Sequence, residues 1–422
     1  MVNKLIISNC VEVLSESFLN QKPADLILSY FFKKNKNLGS HDRSHIAELF
    51  YGVIRNKRYL NKIAGDDVPH KLILIYLIKV LGKSIREIRS ILSESEELWL
   101  KEIKSKKIVI EDWATKLSVP DWLWVRLLNQ LGEDNAIKLA KSLLIPATFN
   151  LRVNTLKDKS VAAILDELRE SFPQLAKSIL ETKISPIGIS LPRGTAIHRH
   201  PLFLNGNIEV QDEGSQILSF LLAPGRGQMV ADFCAGAGGK TLAISALMKN
   251  TGRIYAFDIS DRRLANLKQR LKRSGGSNIM MQRIANENDL KIKRLKGKFD
   301  RVLIDAPCTG LGTLRRNPDL KWRQTEISLF ELVSKQKAIL NSAAQLCKIG
   351  GYLVYATCSL LNEENEEQIN QFLINYPNFK LILPNTILSK YGITVGHDQY
   401  LKLNPYQNNT DGFFGALFKR VE

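Results

Sequence analysis

Cysteine is scarce in this sequence, and the little there is does not pair. The five thiols, at positions 10, 234, 308, 347 and 358, show no Cys-x-x-Cys spacing, which argues against a zinc knot or a redox dithiol motif. The opening "MVNKLIISNC" lacks the apolar core of a signal peptide, so the thiols are expected to be free in a reducing cytoplasm. No apolar run is long enough to span a membrane; the strongest, "LILIYLIKVL" at 72–81, is too short and contains Lys79. His198 and His200 lack further ligand types nearby, so no metal is expected. Acidic residues are in deficit, 42 against 60 Lys and Arg, leaving a formal charge of +18 and a pI near 9.6. That excess suits a polyanionic partner, RNA or DNA first, although a solvated basic surface has the same composition. Repeats and low-complexity tracts are missing too.

What is present divides into three parts, and 422 residues suffice for two or three domains with real cores. Residues 1–140 carry helical periodicity: Ile7, Val11, Leu14 and Phe18 share one face, and "HIAELFYGVI" repeats the pattern. Trp99, Trp113, Trp122 and Trp124 are expected in the core of this all-helical domain. Arg43, Arg55, Lys57 and Arg58 form a charged face suited to phosphates or to water. Residues 141–205 read as a small α+β module, from the alternating "ATFNLRVNT", a helix with Val161, Ile164, Leu165 and Leu168 on one face, and "GISLP". Across 206–422, apolar strands at Met229–Phe233, Ile254–Ile259, Val302–Ile304, Tyr352–Ala356 and "GFFGALFKR" alternate with helical stretches. Such alternation predicts an α/β, Rossmann-like, mostly parallel sheet.

The stretch "VADFCAGAGGKTLA" at 230–243 narrows the ligand. A P-loop requires glycine five places before Gly239, and Cys234 stands there, so the phosphate nest is not encoded. A short apolar strand followed by Gly236-Ala237-Gly238-Gly239 and a helix fits a dinucleotide-type turn. About twenty residues on, Asp258 in "RIYAFDIS" is placed to accept ribose hydroxyls. An adenosine-containing cofactor is favoured.

"RVLIDAPCTGLG" sets Asp305, Pro307 and Cys308 just past the strand Val302–Ile304, and "GGYLVYATCSLL" sets Cys358 just past the strand Tyr352–Ala356. In open α/β sheets ligands lie beyond the carboxyl ends of the strands, so both thiols should enter the crevice of the glycine turn. Cys10, and Cys347 in what reads as a helical run, are expected to be buried structural residues. Two thiols beside an adenosine cofactor suit methylation of pyrimidine carbon 5. That carbon becomes nucleophilic only after a thiolate adds at carbon 6, which divides one hard step into easier ones. A carboxylate such as Asp305 can hold the exocyclic amine and ring nitrogen 3 of cytosine. A basic crevice, with Lys240 contributing, would lower the thiol pKa from its free value of about 8.5.

Six blocks carry a family resemblance: "VQDEGSQ" at 210–216, "DFCAGAGGKT" at 232–241, "DAPCTG" at 305–310, "RRNPDLKW" at 315–322, "ATCS" at 356–359 and "DGFFGALFKR" at 411–420. The chain resembles the RsmB/Sun-type RNA cytosine-5 methyltransferases, which depend on S-adenosylmethionine. "GSHDRSHIAELFYGVIR" resembles that family's NusB-like helical domain, and the middle segment its small RNA-binding module. The resemblance implies Cys358 as nucleophile, Cys308 as an aid to product release and Asp305 as the contact to cytosine. It implies a cofactor site of Cys234, Ala235, Gly236, Gly238, Lys240, Asp258, Arg263 and Asp305, and an acid to meet adenine, for which "RIANENDL" at 283–290 offers Asn286, Asn288 or Asp289, with Asn286 taken first. The family's Ala-Ala-Pro-Gly-Gly-Lys departs from Ala235-Gly236-Ala237-Gly238-Gly239-Lys240, which restores a backbone N–H and loosens the turn. A Pro-Cys pair is also the nucleophile motif of DNA cytosine methyltransferases, which makes Cys308 the rival attacking thiol. Arg315, Arg316 and Lys321, with "KIKRLKGK" at 291–298, are expected to track the RNA backbone, although much of that run would serve equally as solvated surface. The implied substrate is small-subunit 16S ribosomal RNA, with transfer RNA next, acted on by a cytoplasmic monomer. Two other classes remain: a non-catalytic ribosome-assembly factor, and a dehydrogenase, which gives the two thiols no role.

Overall fold

A computed structural model describes residues 3–106, 109–396 and 398–422. Contacts divide the chain into two units: Met1–Pro146 with Thr313–Glu326, and Ala147–Gly312 with Ile327–Glu422.

The first unit is helical. Its opening helix, Lys4–Leu19, starts where the Asn3 side chain accepts the Ile6 N–H at 2.9 Å, satisfying an orphan donor of the first turn. It buries Ile6, Ile7, Cys10, Val13 and Leu14 against helices Ser40–Arg55 and Pro69–Ile75, with Val11 and Phe18 only partly covered. Each fully buried aliphatic side chain contributes about 1.5–3 kcal/mol. Trp99 packs on the margin of this core.

Residues 313–326 belong to this unit, and that overturns two expected RNA contacts. Arg315 and Lys321 are only 3% and 5% exposed. The Lys321 ammonium donates to the Arg55 carbonyl at 2.7 Å, Trp322 Nε1 donates to the Ile54 carbonyl at 2.8 Å, and Arg315 Nε donates to the Ile145 carbonyl at 3.1 Å. These side chains satisfy backbone carbonyls of the helical unit instead of facing solvent. Arg316 is half-buried, whereas Lys291, Lys293, Lys296 and Lys298 are exposed as expected.

The second unit holds the strands; among the described residues twelve form two sheets. The small antiparallel sheet comprises β1 (Phe149–Val153), β2 (Leu180–Glu181), β3 (Gly188–Leu191) and β4 (Ile208–Val210), in the order β2-β3-β1-β4. The expected boundaries at 140 and 205 therefore move. Helix Glu133–Leu143 runs across the first, and β4, beyond the second, pairs with β1. The Glu209 carboxylate on β4 accepts from Arg270 at 3.0 Å and Arg273 at 2.6 Å, joining the small sheet to helix Asp261–Ser274 within one unit.

The large sheet contains β5 (Met229–Asp232), β6 (Arg253–Asp258), β7 (Ile279–Arg283), β8 (Phe299–Asp305), β9 (Cys347–Thr357), β10 (Phe379–Ile382), β11 (Leu401–Leu403) and β12 (Phe413–Arg420). Its order is β10-β12-β9-β8-β5-β6-β7, with β11 on β12. β5 to β9 pair in parallel, and β12 enters antiparallel beside β9. Val302, Leu303 and Ile304 are wholly buried, as a strand covered on both faces requires. Cys347 opens β9 and does not lie on a helix. Burial pushes its thiol up to about 12. Among the described residues no helix is long and apolar enough to cross a membrane.

Candidate active site

β5 has β6 on one side and β8 on the other, so the strand order reverses at β5 and opens a crevice at the carboxyl ends. A cavity of about 390 Å³ lies there. Pockets for small molecules span roughly 300–1,000 Å³.

Its first wall is the glycine turn between β5 and helix Gly239–Leu247. Gly236 N–H and Ser260 N–H each donate at 2.8 Å to the buried Asp258 carboxylate at the end of β6. An ionised carboxylate has about four acceptor sites, so Asp258 keeps capacity for ribose hydroxyls. Arg263 Nη1 stands 4.0 Å from it. Cys234, Ala235, Gly236, Ala237, Gly239 and Lys240 line the cavity, whereas Gly238 faces away, toward Leu267. At Gly238 φ is +82°, and an added Cβ would fall 2.1 Å from Leu267 Cδ1. Buried carboxylate, glycine cradle and apolar side walls at Ile284 and Ile339 together fit a nucleoside cofactor.

Asn286 does not reach this cavity. It is exposed, and its carbonyl accepts the Asn288 N–H at 2.9 Å, while Asp289 caps the following turn. Glu287 lines the wall instead. The resemblance called for an acid at this turn, and the residues offered for it, Asn286, Asn288 and Asp289, passed over Glu287. Ser215 and Lys335 also line the cavity unanticipated; Ser215 lay within the quoted "VQDEGSQ" block, whereas nothing local marked Lys335.

The reactive wall comes from β8 and β9. Asp305 ends β8 and pairs in register with Ala356 of β9, so the loops carrying Cys308 and Cys358 leave the sheet side by side. The two sulfurs are 3.4 Å apart. Asp305 Oδ2 accepts from the Lys240 ammonium at 2.7 Å. All four residues line the one cavity.

The electrostatics distinguish these groups. The hydrogen bond with Cys358, together with burial, holds the Cys308 thiol well above its ordinary range. Burial opposes the charge on Lys240, but the Asp305 carboxylate outweighs it and raises the ammonium pKa. Burial and the carboxylates of Asp232, Asp305 and Asp258 push Cys234 well up, so that thiol is inert lining. Burial also raises Asp232 to about 7, although Thr241 Oγ1 donates to it at 2.6 Å.

Comparison with known proteins agrees with this geometry. A family model described as 16S rRNA methyltransferase RsmB/F matches residues 219–419. A ribosomal RNA small subunit methyltransferase B from Proteus mirabilis is 35% identical over 426 residues, covering 91% of this chain and 92% of its own. A 28S rRNA (cytosine-C(5))-methyltransferase from Mus musculus is 31% identical over 74% of this chain, which spans 40% of the mouse protein. Among solved structures, PH0851 matches 99% of both chains with a TM-score of 0.78 at 27% identity.

Proposed function

The chain belongs to the RsmB/F methyltransferase family, and from that premise we propose that it methylates carbon 5 of a cytosine in small-subunit 16S ribosomal RNA. It is a methyltransferase, and its cofactor is S-adenosylmethionine. Bound in the cavity, that cofactor supplies an electrophilic methyl group. The observation that carries the cytosine reading is the pair of sulfurs 3.4 Å apart, in the cavity shared with Asp305 and the glycine turn.

Cys358 is the nucleophile: its thiolate electrons form the bond to carbon 6, and the ring electrons move toward carbon 5. Asp305, held by Lys240 at 2.7 Å, orients the exocyclic amine and ring nitrogen 3. Once carbon 5 carries the methyl group, solvent water takes its proton, the carbon–hydrogen electrons re-form the double bond between carbons 5 and 6, and the sulfur–carbon bond electrons return to Cys358. Cys308 assists that release. The assignment of attack to Cys358 and of release to Cys308 follows the family pattern of the "ATCS" and "DAPCTG" blocks.

Attack on carbon 6 comes from above the ring, so the base must leave its stack, and loop or single-stranded RNA lowers that cost. The helical unit is read as a NusB-like RNA-binding domain, and the enzyme as a cytoplasmic monomer. The test is a matched pair of variants incubated with unmodified small-subunit RNA and cofactor. Cys308→Ala is expected to accumulate a covalent protein–RNA adduct and Cys358→Ala to form none. The reverse pattern overturns the assignment.

A further inference from the structure

Each active-site cysteine is followed by a hydroxyl side chain, Thr309 after Cys308 and Ser359 after Cys358. Both hydroxyls end on one carboxylate. Glu364 is fully buried at 0% exposure. Its Oε2 accepts from Thr309 Oγ1 at 2.5 Å and from Ser359 Oγ. Its Oε1 accepts from the Thr309 N–H at 2.8 Å and from Gln336 Nε2 at 2.9 Å. The same Gln336 amide also donates to the Pro307 carbonyl at 2.9 Å, on the other side of Cys308.

Asn365 completes the arrangement around Cys358. Its carbonyl accepts from Thr357 Oγ1 at 2.5 Å, and its amide donates to the Ser359 carbonyl at 3.2 Å. Each cysteine is thus gripped through both sequence neighbours, while the sulfurs themselves remain in the cavity. The Glu364 backbone is fixed in turn, since its carbonyl accepts from the Tyr355 phenol hydroxyl at 2.8 Å.

From this geometry we infer that Glu364 is a positioning residue that sets the spacing of Cys308 and Cys358, holding both thiol loops on one carboxylate. The inference rests on the reading of these cysteines as the reacting pair. A buried carboxylate is costly unless several donors converge on it. An ionised carboxylate has only acceptors, about four of them, and here four donors from two loops and a helix use them. A glutamine offers one acceptor oxygen in place of two, and an alanine none. Without Glu364 the two loops keep the hydroxyl contact between Thr309 Oγ1 and Ser359 Oγ at 3.3 Å and a backbone link, the Gly312 N–H donating to the Cys358 carbonyl at 2.8 Å.

The spacing is measurable without RNA. Phenylarsine oxide condenses with two thiols to form two arsenic–sulfur bonds, releasing one water, and the second bond closes fast only when the sulfurs are already adjacent. In the full-length protein one arsenic is expected to bridge Cys308 and Cys358, as read by mass spectrometry after digestion. Glu364→Ala should slow bridging about tenfold or more, the scale of losing hydrogen bonds to a charged acceptor. Glu364→Gln and Ser359→Ala should fall between that variant and the parent. Calorimetry with S-adenosylmethionine should show affinity unchanged within about twofold, because the cofactor wall is intact. Methyl transfer to small-subunit RNA should lose kcat in the same order, with KM for RNA retained. Bridging by Glu364→Ala at the parental rate overturns the inference, and so does a loss of cofactor affinity in step with bridging for Ser359→Ala. If the parent bridges arsenic but does not methylate cytosine, the functional reading fails while the bridging rates still decide the role of Glu364.

Discussion

Two glycines in the cofactor turn look equivalent in sequence and should respond very differently to alanine. Gly236 has φ +56° and Gly238 φ +82°, so each substitution carries the left-handed penalty of about 1–2 kcal/mol. Space separates them. A Cβ at Gly236 meets only the Cys234 carbonyl, at 4.0 Å, whereas at Gly238 it lies 2.1 Å from Leu267 Cδ1 and 2.9 Å from Cγ. Leu267 is fully buried, so it cannot swing away without displacing helix Asp261–Ser274. Overpacking of that kind costs a further 1–3 kcal/mol, roughly. Gly238→Ala should therefore lose about 2–5 kcal/mol and Gly236→Ala about 1–2 kcal/mol. The assay must report the right unit. All five tryptophans, at 99, 113, 122, 124 and 322, belong to the helical unit, so indole fluorescence is silent on the cofactor turn. Hydrogen exchange of helix Gly239–Leu247 in urea, together with cofactor titration calorimetry, addresses it directly. Equal destabilisation by the two substitutions would refute the reasoning, because it would mean that Leu267 yields freely.

Three further expectations follow from charge and burial. Asp232 titrates near 7 when folded and near 3.8 in its unperturbed state, so its contribution to stability is full below about pH 4 and is lost as pH rises through 7. In the cofactor-free protein Asp232→Asn should therefore gain on the parent by roughly 2–3 kcal/mol between pH 5 and pH 8, measured by urea unfolding followed by far-ultraviolet circular dichroism; a pH-independent difference would contradict the burial argument. Lys321→Met removes a buried donor and should lower the tryptophan-monitored midpoint of the helical unit while leaving the salt dependence of RNA binding unchanged; a shallower salt slope would restore Lys321 as a phosphate contact. With a net charge of +18, the parent's RNA affinity should fall steeply between 50 and 200 mM salt, about 10³-fold or more for six phosphate contacts; a flat response in filter binding would remove the electrostatic reading.

The sequence was most readable where local pattern and final environment coincide. The run "VLID" is apolar because β8 is covered on both faces, and its end marks where a side chain can enter the crevice. The same rule located Asp305, Cys308 and Cys358. It misread Cys347, because the start of an extended strand that follows a long helix carries no periodicity of its own. It misread Arg315 and Lys321, because a cation that pairs with carbonyls of a segment some 170 to 270 residues away is indistinguishable, in one dimension, from a cation facing water.

Composition and motif spacing by themselves determined the charge, the parallel sheet, the glycine turn and the order in which the site residues appear along the chain. Those are properties of neighbours in sequence, and a few residues of context express them. Tertiary structure alone decided that two sulfurs stand 3.4 Å apart, that Glu287 and not Asn286 borders the cavity, and that Glu364 binds both thiol loops. Distances of that kind depend on strand register and on which side of a turn each side chain leaves, and a shift of one residue in either reverses them.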